Sequence, residues 1–374
     1  MKILYAASTF GHIRSFHVPY IKEMIARGHE VDIAGSGSAE GLPAGAGVIE
    51  LDFEKKMQSP VNFKTAQRLT GLMKKSEYDL VIVHTSLAAF FVRLAVRKLP
   101  ASERPYVINV VHGYLFDEKA PFLKRRILLT AEKIMASFTD RIIVMNEEDF
   151  GIAKKYRLCK SDSEIYKIAG FGYDSKRFRL SQIDDMAIDT DTDNYPQQFR
   201  LIYAAEFSSR KNQAFLLRVL KELETADPSI DYHLTLAGRG TKLESCKALA
   251  AELGIENKVE FPGFINNIED FYSKSDLSIS SSRSEGLPFN IMESLACGLP
   301  VVATKVKGHA DLVHPGENGE LYEYGDIAGC VAAIIKTRKG LADGTYTPQK
   351  ITNGIEGYAL DAVIESNLNL MLNR

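Results

Sequence analysis

The most informative stretch of the chain for predicting its fold is Ser282-Arg-Ser-Glu-Gly-Leu-Pro-Phe-Asn-Ile-Met-Glu-Ser-Leu-Ala-Cys-Gly-Leu-Pro300. Asp276-Leu-Ser-Ile-Ser280 precedes it, and Leu299-Pro-Val-Val-Ala-Thr304 overlaps its end; both segments have the pattern of short β-strands. Within the stretch, Pro288 suits the first position of a helix and Gly298 suits its C-terminal cap. The sequence therefore predicts a strand, a turn, a helix and a second strand, which is the unit of an α/β fold.

This unit contains two glutamates, Glu285 at the turn and Glu293 inside the helix. A helix N-terminus offers unpaired N–H groups and the positive end of a dipole, and both favour a phosphate. A carboxylate at that turn would lie close to whatever the phosphate carries, and Glu293 could accept hydrogen bonds from the vicinal hydroxyls of a ribose. The spacing alone equally suits a capping glutamate followed by a solvent-facing one.

The glutamate pair, with Gly286 after the first member, resembles the signature of the retaining glycosyltransferases of family 4. The strings Ser-Arg-Ser-Glu-Gly-Leu-Pro and Ala-Cys-Gly-Leu-Pro-Val-Val-Ala-Thr are similar to that family too, and the resemblance extends over nearly the whole chain. It implies the α/β GT-B fold, two Rossmann-like domains facing a central cleft. It also implies a catalytic Glu285, with Gly286, Leu287 and Glu293 binding the donor.

The length of 374 residues predicts two domains. We expect an acceptor-side Rossmann-like domain over residues 1–178 and an acidic linker over 179–199. A nucleotide-sugar-binding Rossmann-like domain follows over 200–350, and C-terminal helices over 351–374 pack back towards the first domain. Asp189-Thr-Asp-Thr-Asp193 imitates a metal-binding Asp-x-Asp motif, but it falls in the linker, so we assign it to solvent and predict no metal.

Composition excludes several classes of protein. The four cysteines have no metal-like spacing, the first apolar run is too short for a signal peptide, and no apolar run approaches ~20 residues. We therefore expect a cytoplasmic protein, either soluble or peripheral on the inner face of the cytoplasmic membrane. Residues 1–178 carry 27 Lys and Arg against 20 Asp and Glu, whereas the remainder carries 19 against 28. The first half should meet something anionic, although without interleaved aromatics that partner is not a nucleic acid.

Two positions in the first half are candidates because they follow predicted strands. The loop Ser8–Arg14 follows strand Ile3–Ala7, and the helix after it should run over Ser15–Arg27. A lone Gly11 does not make a dinucleotide-binding fingerprint, which needs three glycines. The resemblance places Gly11 beside the donor diphosphate and His12 on the acceptor side. His112 follows another strand; an isolated histidine is more often structural, but the resemblance implies contact with the donor sugar.

A basic amphipathic segment, Lys119–Phe138, contains the cluster Lys124, Arg125 and Arg126. Such a helix can lie on an anionic membrane, where each charge near the surface contributes about 1 kcal/mol of attraction. The same apolar periodicity also suits a core helix with a solvated charged end. We keep both interpretations, because similar enzymes often use polyprenyl-diphosphate-linked sugars as acceptors.

The second half holds Arg210 and Lys211 on a strand-to-helix loop, where they could neutralise a diphosphate. Adjacent basic residues on a loop are usually only surface, but Lys211 matches the family's phosphate-binding lysine. The family's arginine five residues earlier is Glu206 here, so Arg210 becomes the candidate substitute. Similar enzymes bind the nucleotide base near Gly263 and Phe264.

The function that the resemblance implies is retaining transfer of a hexose or N-acetylhexosamine from a UDP-sugar to a glycan or a polyprenyl-diphosphate-linked acceptor. The pathway we expect is the assembly of a bacterial capsule or exopolysaccharide. The basic residues and the helix N-terminus substitute for a divalent metal, so we expect no cofactor. The alternatives are a sugar-nucleotide epimerase of the same fold and a non-catalytic nucleotide-sugar-binding protein.

Overall fold

The computed structural model describes residues 1–116, 121–180 and 197–373. The chain divides into two compact units, one formed by Met1–Phe171 with Val363–Arg374 and the other by Gly172–Ala362. We call them unit 1 and unit 2. The Asp189–Asp193 motif and most of the expected linker lie outside the described residues.

Unit 1 is built on a parallel sheet, which its short apolar segments predict. The described strands are β1 Lys2–Thr9, β2 Glu30–Ser36, β3 Gly47–Glu50, β4 Leu80–His84, β5 Tyr106–Val111, β6 Arg141–Val144 and β7 Ile165–Lys167. Their order in the sheet is β3-β2-β1-β4-β5-β6-β7, the doubly wound arrangement of a Rossmann-like domain. Strands β1, β4 and β5 are therefore neighbours, and their carboxyl ends share one edge of the sheet.

Helices connect these strands. They are α1 Phe10–Phe16, α2 Val18–Ala26, α3 Pro60–Ser76, α4 Ser86–Arg97, α5 Phe122–Ala136 and α6 Glu147–Tyr156. The expectation of a loop over Ser8–Arg14 and one helix over Ser15–Arg27 is wrong. Thr9 caps α1 by accepting a hydrogen bond from the backbone N–H of His12, and Pro19 starts a second helix after a break at His17.

Unit 2 repeats the architecture with a second parallel sheet. Its described strands are β8 Gln197–Ala204, β9 Ile230–Ala237, β10 Val259–Gly263, β11 Leu277–Ser280, β12 Val301–Thr304 and β13 Gly319–Tyr322. The order is β10-β9-β8-β11-β12-β13, so β8 and β11 pair directly. The loops that follow these two strands therefore begin side by side.

The remaining helices are α7 Gln213–Ala226, α8 Leu243–Glu252, α9 Ile268–Ser273, α10 Phe289–Ala296, α11 Ile327–Ala342, α12 Pro348–Thr352 and α13 Leu360–Leu372. The predicted helix after Glu285 is α10, although Pro288 is its N-cap rather than its first residue. Most of α13 belongs to unit 1, where Asn367 donates hydrogen bonds to Tyr20 Oη and to the carbonyl of Gly170. Across the described helices, none has the length and apolarity that crossing a bilayer would require.

Candidate functional site

A carboxylate paired with two cations lies at the carboxyl ends of β8 and β11. Lys211 Nζ donates to Glu285 Oε1 at 2.7 Å, and Arg210 Nη1 donates to Glu285 Oε2 at 2.7 Å. Glu285 is 8% exposed, whereas Arg210 is about half exposed. We call these three residues the carboxylate–cation cluster. It places two basic side chains and one acidic side chain of the predicted site in direct contact.

Hydrogen bonds fix the two loops that carry the cluster. Ser281 Oγ donates to the carbonyls of Lys211 and Asn212, and the backbone N–H of Arg283 donates to the carbonyl of Arg210. Arg210 also donates to the carbonyl of Ser284 at 3.2 Å. These hydrogen bonds fix the backbone of the two loops from which the side chains of the cluster project. The geometry of the cluster is therefore pre-organised.

Opposing effects set the charge of Glu285. Burial alone would raise the pKa of its carboxyl, but attraction to Lys211 and then to Arg210 outweighs burial and lowers that pKa to about 2. Glu285 is therefore ionised at neutral pH. Glu206, which stands where the resembled family has an arginine, is exposed, and its negative charge acts on Lys211, where it favours the charged form.

The loop after β12 covers the turn that carries Glu285, and sequence reasoning missed it. Gly308 has φ +78°, and a Cβ there would come within 2.5 Å of the carbonyl oxygen of Gly286. His309 is buried and lies within hydrogen-bond distance of Ser280 Oγ and of Thr304 Oγ1 and its carbonyl. Burial lowers the pKa of His309 to about 4, so its imidazole is neutral. A histidine directly after a glycine, next to a predicted strand, was the available signal.

Glu293 occupies quite different surroundings on α10. It is half-buried, and Tyr272 Oη lies 3.5 Å from its Oε2. Burial raises the pKa of Glu293 to about 7, because the distant positive charge of Arg177 compensates only in part. The two glutamates of the motif therefore differ in charge behaviour as well as in position.

The remaining predicted donor residues of unit 2 lie in the turn before α10 and at the end of β10. Leu287 is buried in that turn, and Gly286 precedes it. Gly263 ends β10 with φ +77°, and its carbonyl accepts a hydrogen bond from the backbone N–H of Gly238. Phe264 is 64% exposed, so its ring is open to a flat partner such as a base.

In unit 1, four histidines gather where β1, β4 and β5 end. His12 lies in α1 and His17 in the break before α2, His84 is the last residue of β4, and His112 follows β5. We call these four residues the histidine cluster. His17 and His84 are fully buried, and the other two are partly buried. Sequence reasoning selected His12 and His112 and missed His17 and His84, although all four follow strands that are neighbours in the sheet.

The rings of the histidine cluster contact one another directly. His12 Nε2 lies 3.3 Å from His17 Nε2, and His84 Nδ1 lies 3.0 Å from His112 Nε2. His17 Nδ1 lies 3.0 Å from Tyr5 Oη. Burial lowers the pKa of His12 to about 4 and lowers the pKa values of the other three still further, with repulsion between the rings adding to the effect. All four imidazoles are neutral at pH 7.

Gly11 and the basic segment complete the placement of predicted residues. Gly11 lies in the first turn of α1, where a Cβ would meet only ordinary contacts at 3.9 Å or more. Lys124 and Arg126 on α5 are exposed, and Arg125 donates to Tyr156 Oη at 2.7 Å. The core interpretation of α5 holds for part of its apolar residues. Met135 and Ala136 are buried, and Leu128 and Leu129 pack against the core while partly exposed. The exposed apolar residues of the helix are Phe122, Leu123, Ile127 and Ile134.

Comparisons with known proteins identify the family of the chain. Residues 186–340 match the family model described as glycosyl transferases group 1, and residues 20–163 match the one described as glycosyltransferase family 4. The "Putative glycosyltransferase EpsD" of Bacillus subtilis (strain 168) is 32% identical over 334 residues, which cover 89% of this chain and 86% of that protein. A UDP-Gal:alpha-D-GlcNAc-diphosphoundecaprenol alpha-1,3-galactosyltransferase of Escherichia coli is 24% identical over 276 residues, covering 74% of this chain and 70% of that protein.

Solved structures show the same fold at low identity. HepE of Anabaena, in complex with UDP and glucose, superposes with a TM-score of 0.74 at 18% identity and covers 100% of both chains. WaaG, a glycosyltransferase involved in lipopolysaccharide biosynthesis, gives a TM-score of 0.72 at 15% identity, also over 100% of both chains. The predicted GT-B α/β fold is confirmed. The alternatives of an epimerase and of a non-catalytic binding protein are not favoured.

Proposed function

The chain belongs to the glycosyltransferases of family 4, enzymes of bacterial polysaccharide biosynthesis, and we propose that it moves a hexose or N-acetylhexosamine from a UDP-sugar to a polyprenyl-diphosphate-linked glycan. The transfer retains the anomeric configuration. The observation that carries the proposal is the carboxylate–cation cluster, in which Glu285 contacts both Lys211 and Arg210.

The cluster is suited to stabilise the charges that develop when the bond between a sugar and a diphosphate breaks. Negative charge accumulates on the departing UDP, while positive charge develops on the sugar ring. Lys211 and Arg210 would stabilise the diphosphate, together with the backbone N–H groups of Gly286 and Leu287 at the start of α10. Pro288 has no N–H and contributes nothing there. These groups perform the role that a divalent metal takes in other transferases, so no metal is required.

The carboxylates take the remaining roles. Glu285, ionised and held in place, would position the hydroxyls of the sugar and balance the positive charge on its anomeric carbon. Glu293 would accept hydrogen bonds from the ribose, and Gly263 with Phe264 would bind the base. In unit 1, His112 is the proposed contact of the transferred sugar, and Gly11 that of the diphosphate. The acceptor hydroxyl forms the new bond to the anomeric carbon as the bond from that carbon to the oxygen of UDP breaks, and its proton passes to the departing diphosphate.

The proposed donor and acceptor are supported by the named relatives rather than by any side chain. The Escherichia coli relative uses UDP-galactose as donor and a GlcNAc-diphosphoundecaprenol as acceptor. A second relative, LpsE of Rhizobium meliloti, is a glycosyltransferase of lipopolysaccharide core biosynthesis, 27% identical over 228 residues. The first name supports a lipid-linked acceptor, and both names support a role in surface glycan assembly. Such an acceptor would bring the protein to the inner face of the cytoplasmic membrane.

The surface of α5 supports the membrane contact. Leu123 is 68% exposed, Ile127 is 61% exposed and Ile134 is 47% exposed. Helical spacing puts these three on one face. The opposite face is anchored to α4, because the carboxylate of Glu132 accepts two hydrogen bonds, at 2.9 and 3.1 Å, from the buried Arg93 of α4. Lys124 and Arg126 flank the apolar face and add attraction to anionic lipid.

Vesicle sedimentation tests this contact. The double variant Leu123→Ser with Ile127→Ser should lose most of its binding to vesicles of anionic phospholipid, because each buried apolar side chain contributes about 1.5–3 kcal/mol. Val48→Ser is the matched control, since Val48 is 49% exposed on β3 of the same unit. Unchanged binding of the double variant would contradict the membrane contact and leave the transferase proposal untouched.

The transferase proposal is tested first by thermal stabilisation with a panel of nucleotide sugars. A ligand that binds only the native state raises the melting temperature, and the shift with a UDP-sugar should survive EDTA. Release of UDP in the presence of a lipid-linked acceptor then measures turnover. Glu285→Gln should abolish UDP release while keeping the fold.

The matched control for this substitution is Glu317→Gln, an exposed glutamate of the same unit, which should keep full activity. Wild-type turnover by Glu285→Gln would remove Glu285 from the catalytic role. A thermal shift with NAD(H), and none with any nucleotide sugar, would overturn the proposal as a whole.

A further inference from the structure

The histidine cluster contains more histidines than the proposed reaction requires. His12, His17, His84 and His112 each offer one ring nitrogen, and these four nitrogens all lie within 4.8 Å of one another. Throughout the described residues, they form the only group of three or more histidine, cysteine, aspartate or glutamate side chains close enough to hold a metal ion. Contact with the donor sugar accounts for His112, and the acceptor side accounts for His12. The buried imidazoles of His17 and His84 therefore need another explanation.

The distances match those of a tetrahedral ion. A Zn–N bond of about 2.0–2.1 Å puts the nitrogens of a tetrahedron about 3.3–3.4 Å apart. His12 Nε2 and His17 Nε2 are 3.3 Å apart, and His84 Nδ1 and His112 Nε2 are 3.0 Å apart. Two opposite edges of the tetrahedron are thus present already. Small rotations of the rings would close the remaining distances.

The surroundings orient one of the rings for such an ion. Tyr5 Oη lies against His17 Nδ1, so a hydrogen on Nδ1 leaves the lone pair of Nε2 pointing into the cluster. Metal-bound histidines commonly have this second partner on the other ring nitrogen. Phe171 closes the opposite side by stacking on His112 at 5.6 Å between ring centroids.

We propose that His12, His17, His84 and His112 bind one Zn²⁺ ion and that the bound ion inhibits the enzyme. Imidazole nitrogens suit Zn²⁺, and four protein ligands leave no open position for water or substrate. The ion would occupy the nitrogen of His112 that faces the cluster and hold His12 in place. The inhibitory consequence rests on the proposed function, whereas the binding of zinc does not.

The experiment separates these two claims. Full-length protein is treated with EDTA, desalted and titrated with Zn²⁺ in competition with a chromophoric chelator, and a parallel sample receives Co²⁺. One equivalent of Zn²⁺ should bind, and Co²⁺ should give the intense visible absorption of a four-coordinate ion. Substoichiometric binding, or the weak absorption of six-coordinate Co²⁺, would overturn the proposal.

Variants locate the site. His12→Ala is the first choice, because His12 is only partly buried and its loss should leave the fold intact. It should weaken zinc binding more than Tyr5→Phe, a change at a positioning residue that should cost about 10–100-fold in affinity. His314→Ala, at an exposed histidine of unit 2, is the matched control and should bind zinc as the wild type does. Equal zinc affinity of His12→Ala and wild type would overturn the proposal.

The inhibitory claim has its own readout. UDP release by the wild type should fall as Zn²⁺ rises, over the concentration range in which the chelator assay reports binding. The residual activity of His17→Gln should no longer respond to Zn²⁺. Stoichiometric zinc binding without a change in turnover would leave the metal site standing and refute inhibition, and failure of the UDP-sugar assay would not affect the chelator result.

Discussion

The carboxylate–cation cluster of unit 2 and the histidine cluster of unit 1 occupy the same place in their sheets, at the carboxyl ends of adjacent parallel strands. They hold buried polar groups in opposite ways. Glu285 keeps its charge because Lys211 and Arg210 pair with it at 2.7 Å. The four imidazoles lose their charge, because burial with no counter-ion lowers their pKa values.

This difference in charge indicates which ligands each cluster can bind. Removing one partner from a buried ion pair leaves an uncompensated charge, so the members of the first cluster depend on each other. Such a cluster is suited to ligands whose charges exchange with its own, namely a diphosphate and a sugar cation. A group of neutral imidazoles offers lone pairs instead, which suits a metal ion or a hydroxyl.

The largest expected effect is that of Lys211→Met. The substitution should lower UDP release about 100- to 1,000-fold, by analogy with the loss of one electrostatic donor at an active site. It should also lower the free energy of unfolding by about 3 kcal/mol, because Glu285 stays buried with one cation fewer. Denaturant unfolding and steady-state kinetics measure the two effects.

The control for that substitution is Lys221→Met, which removes a surface pair with Glu224 at 2.7 Å. Surface pairs contribute only about 0–1 kcal/mol, so this variant should behave like the wild type. If both lysine variants lose the same stability, the carboxylate–cation cluster has no special energetic role.

The next effect in size is the acid sensitivity of unit 2. The pKa of Glu285 is lowered from an ordinary 4.5 to about 2, so its contribution is complete above pH ~4.5 and is lost as pH falls towards 2. The shift corresponds to about 3 kcal/mol. Glu285→Gln should therefore flatten the fall in stability between about pH 4.5 and pH 2, measured by urea unfolding at each pH. A fall as steep as that of the wild type would show that other carboxyls carry the effect.

The contribution of Glu293 to the pH dependence of stability should have the opposite sign and a smaller magnitude. The pKa of Glu293 is raised to about 7, so the folded state is favoured at low pH and loses stability as pH rises from ~4.5 through 7. Glu293→Gln should raise the free energy of unfolding at pH 8 by about 2 kcal/mol, after allowance for partial exposure, and should raise the melting temperature accordingly. It should at the same time weaken UDP binding, since an amide accepts fewer hydrogen bonds from a ribose. Tighter UDP binding by the variant would contradict the ribose assignment.

The two clusters also differ in how far the sequence predicts them. Glu285 and Glu293 lie eight residues apart in one strand–turn–helix unit, so local patterns predict the turn, the helix and the presence of two carboxylates. Burial raises the pKa of Glu293, whereas attraction to Lys211 lowers the pKa of Glu285, and both effects come from residues that are distant in the chain and adjacent only in the fold. Local patterns could not predict that the carboxylates would differ.

The histidine cluster depends on topology alone. His12 and His112 are 100 positions apart, and His84 lies between them at the end of a different strand. They come together because the sheet order places β4 between β1 and β5. The strands themselves could be predicted, but their neighbours in the sheet are set by the packing of the whole unit. The start of α1 at Phe10 depends on a Thr9 cap that the pattern of apolar residues does not reveal.

The smallest expected effect is that of His84→Phe, which tests the comparison most directly. His84 stacks on Tyr5 at 4.6 Å between ring centroids, and phenylalanine can keep that contact. The substitution removes a buried nitrogen without a partner and one hydrogen bond to the partly exposed His112, so these changes should nearly cancel. In EDTA, the free energy of unfolding should stay within about 1 kcal/mol of the wild type, while zinc binding is lost. A stability loss as large as that of Lys211→Met would mean that the imidazoles support one another as strongly as the ion pairs do. The contrast between a charge-balanced cluster and a cluster of lone pairs would then fail.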